Sequence, residues 1–220
     1  MISRLVCFLF MPLNQKRTRK DFFMKNINKK GVAFLFVLLI AISIPVSAFA
    51  YARLGTGKIS GGASGLKFYI DSSASEYKDS IKNGIQYWNG HINTVSVSQT
   101  THKASSRCDN YWGDYFPANS TTIAATQMML NNQETNNYNV DWYWCKIFYN
   151  KNIYKYEDGN GNGLSYFNRK GTACHEYGHF LGLAHTNNVP SNIMCQLGYG
   201  RTAGQPSSDD ISGITAIYGN

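Results

Sequence analysis

The sequence predicts an α+β domain in which a mixed sheet packs against helices, and three observations support this fold class. Several short segments alternate apolar and polar residues, which is the period of half-buried strands. One longer segment, 75–92, instead has its apolar residues at helical spacing. The order of the segments is a strand, a helix, several strands and two further helices, which agrees with an α+β arrangement.

The first predicted strand contains Leu66, Phe68 and Ile70, which alternate with Lys67 and Tyr69. Because successive side chains of a strand point to opposite faces, the three apolar residues share one buried face. Further strands are predicted at Val95 and Val97, over 123–130 and over 144–149.

A long helix that backs the sheet is predicted over 75–92. Its apolar residues recur every three or four positions, so they form one stripe along the helix. The stripe consists of Tyr77, Ile81, Ile85, Trp88 and Ile92.

The segment 175–185 reads HEYGHFLGLAH and has the pattern HExxHxxGxxH. His175 and His179 are four positions apart, so on a helix both can direct an imidazole nitrogen at one metal ion about 2 Å away. Gly182 can take the left-handed conformation that ends a helix and bring His185 back as a third ligand. Three imidazoles leave one position of a zinc ion (Zn²⁺) open, as in catalytic zinc sites.

Glu176 follows the first predicted ligand, roughly 100° around the helix. Its carboxylate could reach a water at the open position and act as general base, then as general acid toward the leaving amine. The motif therefore predicts zinc-dependent hydrolysis of peptide bonds. Two other interpretations remain open, a non-catalytic zinc-containing binding module and a metallohydrolase of non-peptide amides. The carboxylate argues against the first, because binding alone does not require it.

This segment resembles the zinc motif of the metzincin metalloproteases at all five defining positions. Met194 stands where metzincins have a methionine turn below the metal, and 208–219 looks like the terminal helix of the matrixin branch. The resemblance is specific from about Gly171 onward. It implies a metzincin-type domain with a twisted mixed sheet, a backing helix, an active-site helix, the methionine turn and a C-terminal helix. It also implies a zinc endopeptidase that acts on proteins or peptides.

Two further expectations come from the resemblance. Tyr199 is a candidate for the wall of the substrate pocket beside the metal, and a structural role is equally consistent with its position. Calcium (Ca²⁺) is a possible stabilising ion, because matrixins often need it. The segment 158–163 looks like the first half of a calcium loop, but Arg169 stands at the twelfth position, so we predict a plain turn there.

A signal peptide is predicted over residues 24–50. It combines a basic start, an apolar stretch over 31–44 and an A-x-A cleavage site that ends at Ala50. An uncleaved membrane anchor is the alternative, since 31–50 could just span a bilayer of about 30 Å. We expect cleavage after Ala50 and secretion.

The predicted domain organisation follows from this signal. Residues 1–50 form a targeting region, in which Met24 is the true start and 1–23 lie upstream of it. Residues 51–220 form one metalloprotease catalytic domain, long enough to bury a sizeable core.

The formal net charge of +8 would favour nucleic acid or an anionic membrane as a partner. However, eight of the 21 basic residues and one of the 13 acidic residues precede residue 31. From Tyr51 onward 13 basic and 12 acidic residues remain. We therefore expect no nucleic-acid partner. We also expect no stable membrane association after signal cleavage, and a monomer.

Four cysteines lie in the predicted mature domain: Cys108, Cys145, Cys174 and Cys195. An even number in an exported protein predicts two disulfides, for which three connectivities are possible. The resemblance favours Cys174 with Cys195, because the family fold brings the first zinc ligand and the turn methionine close together. Cys108 would then pair with Cys145.

Overall fold

A six-stranded mixed sheet forms the centre of the computed structural model, which describes residues 51–219. The predicted signal peptide, start residue and cleavage site fall on residues 1–50 and lie outside the described residues. The strands are β1 (Ala52–Arg53), β2 (Leu66–Ile70), β3 (Val97–Gln99), β4 (Cys108–Gly113), β5 (Ala124–Leu130), β6 (Gln133–Glu134), β7 (Trp144–Asn150) and β8 (Leu183–Ala184).

Strands β2 to β7 make up this sheet in the order β3-β2-β4-β7-β5-β6. The first four strands in that order are parallel, whereas β5 runs antiparallel to both of its neighbours. β1 and β8 form a separate antiparallel pair. The sheet is mixed, as predicted, and β2, β3, β5 and β7 are the four predicted strands.

Strand β4 is not predicted by the apolar pattern, because its inward-facing residue Asn110 is polar. The structure shows why this residue is tolerated in the core. Its Nδ2 donates to the carbonyl oxygen of Tyr69 at 3.0 Å, and its Oδ1 accepts from the Tyr149 hydroxyl at 3.0 Å. A buried amide whose hydrogen bonds are satisfied costs little, so a strand can form without an apolar alternation.

The outer edge of β5 is open along much of its length. β7 pairs with β5 over Ala124–Met129, whereas β6 pairs with only the last two residues of β5 on the other side. Within the described part of the chain, no strand pairs with that outer edge from Ala124 to Gln127. Main-chain groups on this edge are therefore available to another extended chain.

The first helix is shorter than predicted. A 3-10 segment (Ser72–Tyr77) leads into α1 (Lys78–Gln86), so the helix ends six residues before the predicted end. The chain leaves the helix because the Asn89 side chain bonds both the N–H and the C=O of Val97, at 2.7 and 2.9 Å. Trp88 and Ile92 are buried as the pattern predicts, but in this turn rather than on a helix.

The other two helices form where they are predicted. They are α2 (Tyr166–Phe180) and α3 (Ser208–Tyr218). Ser165 caps the N-terminus of α2, because its hydroxyl accepts from the N–H of Asn168. α1 and α2 are in close contact, since a Cβ on Gly84 would overlap the Lys170 carbonyl oxygen. Between residues 51 and 219, none of the helices has the length and hydropathy needed to cross a membrane.

All four cysteines of the described chain are buried free thiols, so neither predicted disulfide is present in this structure. The thiol of Cys195 points toward the carbonyl oxygens of Asn187 and Gln196. Cys108 and Cys145 are partners on the adjacent strands β4 and β7. Both pairings stay predictions.

Candidate active site

Three histidines converge at the C-terminal end of α2. His175 and His179 lie one turn apart on this helix, and Gly182, at φ +102°, ends it in the left-handed region. The chain then returns through β8 and places His185 beside them. One ring nitrogen from each histidine lies within 4.8 Å of the other two, and the Nε2 atoms of His179 and His185 are 3.0 Å apart. The structure thus brings together the three predicted ligands.

Main-chain carbonyl groups fix the tautomer of two of these rings. The Nδ1 atoms of His175 and His179 lie 2.8 Å from the carbonyl oxygens of Ile193 and Leu183. Because a carbonyl oxygen only accepts, each Nδ1 carries a proton and each Nε2 keeps its lone pair.

The electrostatics also favour neutral imidazoles. Burial lowers the pKa of His179 and of His185 to about 4, and burial together with the nearby His179 lowers the pKa of His175 well below its usual value. Neutral imidazole is the form that coordinates a metal. Three converging neutral nitrogens are a donor set that suits zinc, so these residues fit the ion that the motif predicts.

Glu176 lies beside this cluster with its carboxylate buried. Oε2 accepts a hydrogen bond of 2.7 Å from the Thr126 hydroxyl of β5. Burial raises the pKa of Glu176 to about 7, although the Thr126 hydrogen bond and the charge of Arg201 act in the opposite direction. A carboxylate with such a pKa can both take up and release a proton near neutral pH.

Thr126 is a site residue that the sequence analysis does not predict. A threonine in a strand is ordinary, and only the fold brings its hydroxyl to Glu176.

Met194 lies directly below the helix that carries the ligands. A Cβ on Gly178 would overlap the Met194 Sδ, so the third residue after His175 must be small. The turn around Met194 is held by α3, because the Asp210 carboxylate accepts from the N–H groups of Ile193 and Met194 at 2.8 and 3.3 Å. Met194 therefore lies against the helix that carries the histidines, and Asp210 connects the turn around Met194 to the terminal helix.

Two cavities of about 310 Å³ each meet at His175 and Glu176. We call the first the metal cavity; it is lined by the three histidines, Glu176 and residues 124–126 of β5. We call the second the side pocket; it lies between residues 121–124, the Thr172 to Glu176 face of α2 and the segment 196–201.

Tyr199 lines the side pocket and is 63 % exposed, which is consistent with its predicted place in the pocket wall. Arg201 also lines this pocket, and no motif or spacing in the sequence points to it.

Comparison with known proteins finds a match to one family model. The family model described as Matrixin matches residues 74–219, which is about two thirds of the chain. Comparison with curated proteins gives no match. Among solved structures, the chain is similar to one described as the GM1 bound form of the ECX AB5 holotoxin, at 16 % identity and a TM-score of 0.46. That match covers 78 % of this chain and 91 % of the other.

Proposed function

The chain belongs to the matrixin family, and on this premise we propose that it is a secreted zinc endopeptidase in which Glu176 is the general base and acid. Membership of the family implies a zinc-dependent peptidase that acts on proteins or peptides. The proposal adds the role of Glu176, the cleavage of internal bonds and the export of the protein.

The observation that carries the proposal is the buried Glu176 carboxylate beside three converging imidazoles. When bound by these imidazoles, zinc supplies Lewis acidity, which lowers the pKa of water and polarises a carbonyl group. Oε2 of Glu176 already accepts a hydrogen bond from Thr126, and we infer that Oε1, which has no such partner in the described chain, takes the proton from the attacking water. The same carboxyl group then delivers this proton to the nitrogen of the leaving amine.

The open edge of β5 supports an extended peptide as the substrate. Its residues 124–126 line the metal cavity, so a chain paired with this edge would pass the reactive groups. Such pairing uses main-chain hydrogen bonds, which do not depend on the substrate's sequence. Because pairing along an edge needs no chain terminus, it favours cleavage of internal bonds.

Export is supported by the sequence of residues 24–50 alone. N-terminal sequencing of protein collected from the culture medium would test it, with Tyr51 expected as the first residue. Retention in the membrane with an intact apolar segment would contradict the proposal.

The catalytic proposal is tested with the zinc-loaded protein and a denatured protein substrate. Glu176→Gln keeps the size of the side chain but removes the base, so we expect cleavage to fall by about 10²- to 10⁴-fold. Zinc content, measured by elemental analysis, should stay at the wild-type level because Glu176 is not a ligand. Equal cleavage by both proteins would exclude the mechanism, and absence of zinc from the folded wild type would exclude the metal.

A further inference from the structure

Arg201 is a buried cation at the side pocket. It is only 7 % exposed, and its Nη2 donates to the Thr172 hydroxyl at 3.2 Å. Charged side chains are rarely this buried unless they are paired.

No carboxylate of the described chain pairs with Arg201. The one ion pair formed between residues 51 and 219 joins Lys151 to Asp114, so no carboxylate oxygen there lies within 4.0 Å of the guanidinium. Glu176 is near enough for the charge of Arg201 to lower its pKa, but its carboxylate is bound to Thr126 instead. The buried positive charge of Arg201 therefore has no carboxylate partner in the described chain.

Most of the guanidinium N–H groups are also unused. A guanidinium has five N–H donors, and the Thr172 hydroxyl is the acceptor that the described chain provides for its side chain. The enclosed side-chain atoms without a hydrogen-bond partner belong to Asp109, Arg169 and Tyr177, so Nε and Nη1 of Arg201 are not sealed in the protein. Because Arg201 lines the side pocket, these donors are available to a ligand there.

The position of Thr172 fixes the guanidinium relative to the reactive groups. Thr172 precedes His175 by three residues and Glu176 by four, so all three lie on one face of α2. Thr172, to which the Arg201 guanidinium is bound, is thus roughly 6 Å along the helix axis from Glu176. A substrate side chain that enters the side pocket beside Glu176 would extend toward the guanidinium.

We propose that Arg201 is a specificity-determining residue that selects substrates with a carboxylate on the side chain entering the side pocket. The enzyme would then cleave beside an aspartate or a glutamate. The planar fork of a guanidinium matches a carboxylate in a bidentate pair, which supplies the partner that this buried charge lacks. The inference rests on the proposed function, since it names the substrate class of the same site.

The test begins with a peptide library cleaved by the zinc-loaded wild-type enzyme and read by mass spectrometry. We expect one position next to the cleaved bond to be enriched in acidic residues. Two peptides that differ only there are then compared, one with glutamate and one with the isosteric glutamine, called the Glu peptide and the Gln peptide. We expect kcat/KM to be about ten- to hundredfold higher for the Glu peptide, the range given by charge-assisted hydrogen bonds.

Three variants connect this preference to Arg201. Arg201→Gln should bring the ratio of the two kcat/KM values close to one, because the Glu peptide loses more from the missing guanidinium than the Gln peptide does. Arg201→Lys should keep part of the preference for the Glu peptide. Lysine retains the positive charge but lacks the planar guanidinium that forms a bidentate pair. Arg107→Gln removes one positive charge outside the side pocket and should leave the ratio at its wild-type value. Circular dichroism and zinc content show whether each variant is folded.

A binding measurement separates this inference from the proposed function. The Glu176→Gln variant is titrated with both peptides, labelled with a fluorophore, and followed by anisotropy. Tighter binding of the Glu peptide without cleavage by the wild type would support the selectivity of Arg201 and overturn the proposed function. Equal binding and equal cleavage of the two peptides by a folded protein with intact Arg201 would overturn the inference, whether or not Arg201→Gln folds.

Discussion

The metal cavity and the side pocket have the same volume, about 310 Å³, but their walls carry different charge. The metal cavity holds three imidazoles whose pKa values are lowered, so they are neutral near pH 7. The side pocket holds the permanent charge of Arg201. Apart from His175 and Glu176, which line both, the metal cavity adds two further imidazoles that can coordinate a metal, and the side pocket adds a guanidinium that can bind but not coordinate.

This difference separates rate from selectivity. Changes in the metal cavity should alter the cleavage of the Glu and Gln peptides equally, whereas changes at Arg201 should alter the ratio of the two kcat/KM values. His175 and Glu176 line both cavities, so substitutions of these two residues could change both the rate and the selectivity. The ratio of the two kcat/KM values therefore reports on the side pocket, and the rate on the Gln peptide reports on the metal cavity.

The largest effect is expected from His179→Ala. Its Nε2 is one of the three converging nitrogens, so its loss should remove bound zinc and lower kcat/KM by roughly 10³-fold or more. Both peptides should be affected equally. Elemental analysis and the two rates check this, with exposed His91→Ala as the control. A variant that keeps zinc and full activity would contradict the assignment of His179.

Thr126→Val should reduce the rate without removing the metal. The hydroxyl that donates to Glu176 Oε2 is lost while the volume of the side chain is kept, and we expect kcat to fall about tenfold. Thr126→Ser retains the hydroxyl and should restore most of kcat. Restoration by serine separates a positioning role from packing, and an unchanged kcat in the valine variant would refute that role.

Gly178→Ala tests the support below the ligands. Its Cβ would overlap the Met194 Sδ and approach Trp88 at 3.0 Å, so the free energy of unfolding should fall by about 1–3 kcal/mol. Gly159→Ala is a suitable control because a Cβ there meets nothing within 4 Å. Denaturant unfolding of the zinc-loaded proteins measures the difference. Equal stability of the two variants would show that the methionine turn yields to the added methyl group.

The chemistry of the site could be predicted from sequence because its residues lie close together in the chain. One helix and one glycine turn place His175, Glu176, His179 and His185, and this local geometry follows from helical spacing. Thr126 and Arg201 could not be found in this way. Each reaches the site from a distant segment, and neither residue type indicates by itself that it faces α2.

The same difference between local patterns and contacts with distant segments explains which parts of the fold could be predicted. The strands with apolar alternation are predicted, whereas β4 depends on hydrogen bonds between Asn110 and the neighbouring strands. The apolar stripe over 75–92 correctly predicts which residues are buried, but a stripe cannot show where a helix stops. The helix ends before Asn89, whose side chain bonds Val97, a partner that only the folded chain provides.

The smallest effect is expected from Thr172→Val, which tests whether the position of Arg201 in the side pocket affects selectivity without affecting the rate. This substitution removes the hydroxyl that accepts from Arg201 Nη2 but leaves the positive charge in place. The guanidinium loses one of the contacts that position it but keeps its charge, so the ratio of Glu to Gln peptide kcat/KM should fall by roughly two- to fivefold. The rate on the Gln peptide should not change, because Thr172 does not contact the metal ligands through any hydrogen bond of the described chain. Thr172→Ser should restore the ratio. If the valine variant instead slowed both peptides equally, rate and selectivity would share one structural cause, and the division between the two cavities would be wrong.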